Sequence, residues 1–421
     1  MKTIILFLPL LLIACKEAPV KELFIVSPHT PEIKKEFAEA FKSYSAKQGK
    51  KVSVKWIDVG GTGEAVEFVK SRNGEGRQAG GVDCFFGGGD LPFITLEGLD
   101  LLDTLLLPDT ILDRFPSELN GYPLRSEKGK WIGAALSGFG ILNNDKMAMQ
   151  NNITPPTEWK DLAKPELHGF VAFSDPRYSG TAHVMFEIIL QSYGWNEGWK
   201  ILYGMAANGR TFDKGASMSA KSVAAGQTIS GISIDFYAAA EIEKIGSHRL
   251  SFVLPANKTA VTPDGIAVLK YSKNRETAQE FVRFVLTDGQ YLWLKKAGTP
   301  KGPARIALCR MAADSSVYHR ISKDELTPVR NPFTEEAADS QFTFNSRLAG
   351  KRWALLNDMT ASLLVNPQRK LRSSYLKNSA AYAPPLSEDE AMTIAPTWNK
   401  PENAVRRIKL MNEWTKTNVT N

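Results

Sequence analysis

The chain has 421 residues, 43% of them apolar and 23% charged, with a formal charge of +7 and three cysteines. This composition is ordinary for a water-soluble globular protein and excludes a disordered, collagen-like or disulfide-stapled chain. The positive charge is mild for the length and spread along the chain, which argues against nucleic-acid binding and is compatible with an anionic ligand or a membrane face.

Residues Met1 to Cys15 combine a lone positive charge at Lys2, an apolar run and a small residue before a cysteine. The run from Ile4 to Ala14 is shorter than the about 20 apolar residues that span a bilayer, and its flanks fit a cleaved secretory signal. Leu12-Ile13-Ala14-Cys15 resembles the bacterial lipobox, so Cys15 is expected to be lipidated and to tether a periplasmic or cell-surface protein to the membrane. The alternative is a plain signal peptide with a chance cysteine. No later run of 18 or more apolar residues occurs, so no further membrane entry is expected. The remaining residues are too many for one core and suit two lobes with additions. Cys84 and Cys309 either pair in an oxidising compartment or remain thiols, Cys84 lying in an apolar run. No Cys/His cluster has zinc spacing.

The first hundred residues alternate strand and helix signals. Leu23 to Val26 reads as a buried strand and Ser27-Pro28-His29 as the turn after it. Thr30 is placed to cap a helix that begins at Pro31 and carries Ile33, Phe37, Phe41 and Tyr44 on one face. Val52, Val54 and Trp56 alternate as a second strand, closed by Gly60-Gly61-Thr62-Gly63 and a helix through Val66 and Val69. Val82 to Phe86 is a third strand, ending in Gly87-Gly88-Gly89-Asp90. This order implies a parallel, doubly wound α/β sheet.

Ligands of such sheets collect outside the carboxyl ends of the strands. His29, Thr62 and Asp90, at the three strand ends, therefore form one expected wall of a site. From Trp131 the pattern restarts: Trp131 to Ala135 and Phe139 to Asn143 read as extended segments flanking Ser137-Gly138, suited to a crossing between lobes. Pro156 to Leu162 reads as a capped helix and Gly169 to Phe173 as a strand. Ser179-Gly180-Thr181 then opens a helix through Val184, Phe186 and Ile189, and supplies the second wall.

A family becomes recognisable in Trp159-Lys160-Asp161-Leu162, Asp175-Pro176 with Ser179-Gly180-Thr181, Gly194-Trp195, Gly231 to Tyr237 and Thr262-Pro263-Asp264-Gly265. This series resembles the periplasmic solute-binding proteins of ABC importers, in the branch that holds ferric-iron, polyamine, phosphonate and sugar-phosphate binders. Ser27-Pro28-His29, Asp288-Gly289-Gln290 and Gly302-Pro303 match it further, over about residues 22 to 365. The resemblance implies two doubly wound α/β lobes of the type II periplasmic binding fold, joined by hinge strands and closing on a solute. Residues 22–130 with about 265–345 would form lobe one and 131–264 lobe two. Residues 346–421 would be C-terminal helices packed on the lobes, with a polar tail, a linker at Ala381 to Pro385 and a last helix at Ala404 to Trp414. A small-molecule or metal solute and an ABC permease are the expected partners; a monomer is expected, and no cofactor beyond a metal ion as cargo.

The branch's iron binders use adjacent tyrosines, hard oxygen donors for a hard cation. At that place this chain has Phe236-Tyr237, so one phenol is missing, and Tyr237 with His29 would serve as metal ligands only if iron is the cargo. Ser179-Gly180-Thr181 at a helix start offers hydroxyls and amides to a phosphate, phosphonate or carboxylate, with Arg177 and Arg210 as nearby charge. The expected ligand set is therefore His29, Thr62, Asp90, Ser137, Ser179, Gly180, Thr181, Asp235 and Tyr237, around an oxyanion-bearing organic solute or an anion bound with a cation. Each has a plainer reading: Ser179 and Thr181 as helix caps, Asp235 as a solvated strand end, Tyr237 as a packed aromatic. A sensor feeding a signalling receptor uses the same closing motion. A lipid-anchored hydrolase is the enzyme alternative, against which stands the absence of Gly-x-Ser-x-Gly and His-Glu-x-x-His, so no catalytic residue is assigned.

Overall fold

The computed structural model describes residues 19–73, 81–334, 342–379 and 382–420. Cys15, the signal segment and part of the Ala381 to Pro385 stretch lie outside the described residues. The chain enters through β1 (Lys21–Val26), α1 (Pro31–Ala46), β2 (Val52–Ile57), α2 (Thr62–Asn73), β3 (Cys84–Phe86) and α3 (Leu91–Gly98). β1 pairs in parallel with both β2 and β3, as the alternating apolar runs require. Thr30 stands at the N-cap of α1 but accepts no capping hydrogen bond through its side chain. Ile33, Phe37 and Phe41 are fully or nearly fully buried, with the Phe37 and Trp293 ring centres 4.5 Å apart.

After the short helix α4 (Asp109–Leu112) and a hairpin of β4 (Glu118–Leu119) and β5 (Tyr122–Pro123) comes β6 (Ile132–Asn144), buried along all 13 residues. The two extended segments expected on either side of Ser137-Gly138 are one continuous strand. Ser137 pairs with Thr262 and Gly138 with Val261, so the pair is held in the ladder rather than looped out.

Lobe two follows with α5 (Asp145–Gln150), β7 (Val171–Ser174), α6 (Gly180–Tyr193), α7 (Trp195–Asn208), β8 (Gly209–Asp213), α8 (Met218–Ala224), β9 (Ser230–Ile234), α9 (Asp235–Ile245) and β10 (Leu250–Val253). The segment expected as a helix at Trp159 is a tighter 3₁₀ turn over Trp159–Ala163, closed by a capping box between Glu158 and Asp161. The return strand β11 (Val261–Val268) runs antiparallel to β6 and β3. It leads to α10 (Arg275–Val285), α11 (Asp288–Leu294) and β12 (Met311–Ala312), which pairs with β6. The principal sheet order is β2-β1-β3-β11-β6-β9-β7-β8, with β6 and β11 shared between the lobes. Cys84 and Cys309 are both buried and stand as free thiols in this structure.

The C-terminal helices α12 (Ser346–Thr360), α13 (Gln368–Ser374), α14 (Glu388–Ile394) and α15 (Ala404–Thr420) complete the fold. Leu355, Leu356, Met359 and Leu363 are buried in the same core as Phe186, Ile189 and Trp199 of lobe two. Arg352 fixes this attachment. Its Nε and Nη2 donate to the two carboxylate oxygens of Glu187, each at 2.8 Å, and Nη1 donates to Glu388 at 2.7 Å. Both members of the first pair are almost wholly buried, at 1% and 0% side-chain exposure. Arg352→Ala strands the Glu187 carboxylate and is expected to cost about 3–5 kcal/mol in denaturant unfolding. Loss of less than about 1 kcal/mol would show that the C-terminal helices do not depend on this pair.

Candidate interlobe binding site

The ends of β1, β2 and β3 converge as parallel-sheet geometry requires. Gly87 has φ +95°, and a Cβ there would stand 2.5 Å from the His29 ring, so only glycine lets the turn pass beside that imidazole. A Cβ on Gly88 would lie 3.0 Å from Thr62 Oγ1, which places Thr62 on the same wall. The Gly89 amide donates to Asp264 Oδ1 at 2.7 Å and so ties the turn to β11.

Asp264 is the centre of the site. Its Oδ2 accepts from Arg310 Nη1 at 2.6 Å and from His29 Nε2 at 2.8 Å. Arg310 Nη2 donates to Ser137 Oγ at 2.8 Å. The Arg310 guanidinium lies 4.5 Å from the Phe236 ring centre and 5.3 Å from that of Trp293, so it is held between an aromatic of lobe two and one of lobe one. Its side chain is only 3% exposed. Desolvation opposes ionisation of Asp264, yet the Arg310 charge and His29 hold its carboxyl far below the usual carboxylate range. Burial lowers the His29 pKa, which keeps the imidazole neutral. Nε2 also lies 3.0 Å from Arg310 Nη1, while the buried Nδ1 has no partner.

Asp235 opens α9 opposite Arg310. Its Oδ1 accepts from the Phe236 amide at 2.8 Å, while its buried Oδ2 has no partner. His29 Nδ1 and Arg310 Nε are likewise buried and unpartnered. Burial raises the Asp235 pKa to about 7 against the pull of Arg310. Burial also pushes the Tyr237 hydroxyl up; Arg310 opposes this, and Glu32 of α1 and Asp264 reinforce it.

His29, Ser137, Asp235 and Tyr237 thus meet around Asp264 and Arg310, two residues that the candidate set omitted. Asp90 turns away: its Oδ2 accepts from Tyr122 Oη at 2.6 Å, and Ser346 bonds to the pair. Ser179 is an N-cap, its Oγ accepting from the Ala182 amide at 3.1 Å. Gly180 and Thr181 supply the first amides of α6, which helix geometry leaves without intrahelical partners. Arg177 is occupied by Asp175, and Arg210 donates to the Gln227 carbonyl at the far strand β8. Neither arginine supplies the cleft; Arg310 stands there instead. Its one sequence signal was a lone arginine within the apolar run Ile306 to Ala313.

Among the described residues no group of three or more His, Cys, Asp or Glu side chains is arranged to hold a metal ion. A separate cavity of about 170 Å³ is lined by Leu254, Val261, Met311, Phe342 and Phe344 and by none of the candidate residues. It opens beside Gly138, whereas Ser137 points to Arg310, so the two lie on opposite faces of β6.

These two lobes, crossed by β6 and β11 and meeting over a buried polar cluster, are the type II periplasmic binding fold. Residues 102–308 match the family model described as bacterial extracellular solute-binding protein. Over 193 residues the chain is 31% identical to the phosphoglycerate transport regulatory protein PgtC of Salmonella typhimurium, a match covering 46% of this chain and 48% of that protein. The chain therefore spans about half the length of that curated relative. The periplasmic binding protein AfuA of Actinobacillus pleuropneumoniae, solved with exogenous fructose-6-phosphate bound, superposes with a TM-score of 0.61 at 18% identity, over 86% of this chain and 99% of that one. Iron-bound HitA of Pseudomonas aeruginosa gives 0.58 at 19%, over 83% and 99%. At these identities the two solved structures show a common fold. The motif resemblance to periplasmic solute-binding proteins is borne out by the family model over residues 102–308, and these structures share the two-lobed fold that it implies.

The Asp235 carboxyl binds its proton more tightly in the folded chain than in the unfolded one. Its stabilising contribution is therefore present at low pH and is lost as pH rises from about 4 towards about 7. Asp235→Asn is expected to remove that part of the slope and to melt higher than the parent above about pH 7. Urea unfolding from about pH 4 to 8 checks this; identical slopes in the two proteins would contradict it.

Proposed function

We propose that this chain is the extracytoplasmic substrate-binding component of an ABC importer, tethered through Cys15, which captures a small phosphorylated organic acid or phosphonate between its lobes. The observation that carries the reading is Arg310: a buried guanidinium between Phe236 and Trp293 whose Nε has no partner. With Nη1 committed to Asp264 and Nη2 to Ser137, the Nε–H that is left over suits a single phosphate or carboxylate oxygen. The amides at the start of α6 offer a second anion contact, strengthened by the helix dipole. The names of two similar proteins point the same way, one a phosphoglycerate transport regulator and the other carrying fructose-6-phosphate.

Bare iron fits less well. Phe236 replaces one of the paired phenols, and His29 Nε2 is committed to Asp264. No cofactor is assigned. Among the described residues no helix is long and apolar enough to cross a membrane, so the tether proposed at Cys15 would be the membrane attachment. A permease and a monomeric mature chain complete the proposal. A sensing role is the second reading, favoured by the word "regulatory" in the relative's name. Retrieval of a sensor kinase rather than a permease by the crosslinked protein would select it.

Calorimetry of the chain starting after Cys15, against 3-phosphoglycerate, fructose 6-phosphate, inorganic phosphate and ferric citrate, tests the ligand. A phosphorylated organic solute at 100 times its dissociation constant is expected to add about 2.7 kcal/mol of stability. Arg310→Gln should weaken its binding by about 1.5–3 kcal/mol, the worth of a charge-assisted hydrogen bond. Ferric citrate should produce no phenolate charge-transfer colour. Colour with iron and silence with all the phosphates would overturn the reading.

A further inference from the structure

A buried donor and a buried acceptor stand beside each other in the cluster without bonding. The Arg310 side chain is 3% exposed and its Nε has no partner; Asp235 Oδ2 is buried and has none either. Their neighbours show how near they are. Phe236, the residue after Asp235, packs its ring 4.5 Å from the Arg310 guanidinium. The Gly138 amide bonds to the Asp235 carboxyl, and Ser137, the residue before Gly138, accepts from Arg310 Nη2 at 2.8 Å. Among charged neighbours, Arg310 acts on the Asp235 carboxyl most strongly.

Each group is held back by its own anchors. Arg310 is tied to Asp264 and Ser137, while Asp235 Oδ1 accepts from the Phe236 amide at 2.8 Å. The Tyr318 hydroxyl is near enough to feel the Asp235 charge, but it donates to the Ala312 carbonyl at 3.1 Å. What is left over is therefore one N–H donor and one carboxylate oxygen, and an unpaired buried polar atom is costly. A solute that offers only a phosphate or carboxylate oxygen serves Arg310 and sets a second anionic oxygen against Asp235. An ammonium serves Asp235 and stands against the guanidinium. A hydroxyl beside the anionic oxygen serves both sides: the anionic oxygen accepts from Nε, and the neutral O–H donates to Oδ2.

We propose that Asp235 is a specificity-determining residue: its free carboxylate oxygen accepts from a hydroxyl carried next to the anionic group that Arg310 Nε binds, so the solute belongs to the hydroxy-acid class. This rests on the reading of Arg310 as a solute contact given above and narrows it. A site built to bond a solute hydroxyl rejects the analogue that lacks it, because its own buried atom is then left unpaired. One hydrogen bond to a charged group corresponds to about 10- to 100-fold in affinity.

The test is calorimetry of the mature protein at pH 8 with three solutes of one size: 3-phosphoglycerate, its 2-deoxy analogue 3-(phosphonooxy)propanoate, and O-phosphoserine, which carry a hydroxyl, a hydrogen and an ammonium at the same carbon. The parent is expected to favour 3-phosphoglycerate over both others by about tenfold or more. Asp235→Asn keeps the side-chain volume and an acceptor for the Phe236 amide, and should narrow the ratio of hydroxyl to deoxy solute at least fivefold; Asp235→Ala should do the same. Parent affinities for 3-phosphoglycerate and the deoxy analogue within twofold, tightest binding of O-phosphoserine, or an equal loss for all three solutes in the variants would each overturn the proposal, the last leaving Asp235 a structural residue. Should none of the three bind, lactate against propionate repeats the comparison without a phosphate. A preference for lactate that Asp235→Asn abolishes would keep the hydroxyl contact and retire the phosphorylated-solute reading, whereas no preference would overturn both.

Discussion

Everything in the cleft is arranged around one buried ion pair, Arg310 with Asp264. Two charges taken out of water are costly, and their attraction compensates only where further hydrogen bonds satisfy the remaining donors and acceptors. Here Gly89 and His29 serve Asp264, and Ser137 serves Arg310. The partners come from the first strand turn, the third strand turn, both crossing strands and the segment before β12. Satisfying one carboxylate thus fixes the relative placement of lobe one and the hinge. Arg310 Nε is left over, as is the Asp235 oxygen across from it, so the cluster is stable in itself and still incomplete towards lobe two.

A solute that satisfied the leftover donor and acceptors would favour, by its differential contacts, whichever arrangement of the lobes supplies them. The C-terminal helices modify this scheme. They belong mechanically to lobe two through Leu355, Leu356, Met359 and Arg352, yet they are reached by a chain segment fixed to Tyr122 and Asp90 of lobe one. Residues 343–352 are thus a third connection between the lobes beside β6 and β11.

The sequence made lobe one legible because parallel strands write themselves as apolar runs and their turns as glycine clusters. Gly87, Gly88 and Gly89 all have positive φ. Ser137-Gly138 misled because a serine and a glycine inside apolar segments look like a break, and only the partner strand decides whether they stay in the ladder. The polar edge strand β8 and the two-residue β12 carried too little periodicity to be read. Among the candidate residues, His29, Thr62 and Asp235 do stand at strand ends and helix starts, since topology alone places them there. Asp90 was at such an end but was claimed by Tyr122, a residue whose approach no local pattern encodes. Arg310 was invisible for the converse reason: it stands in no motif, and its meaning comes from an aspartate on another strand.

The solute proposed for the cleft built on Arg310 and Asp264 is a phosphorylated organic molecule, and it should travel with the protein from the cell. Native mass spectrometry of the mature protein, purified gently from an exporting host without added ligand, tests it most directly. A one-to-one adduct with the mass of a small phosphorylated acid or phosphonate, lost on Arg310→Gln, is expected. A ferric adduct retained by Arg310→Gln, or a phosphorylated adduct indifferent to that substitution, would contradict it.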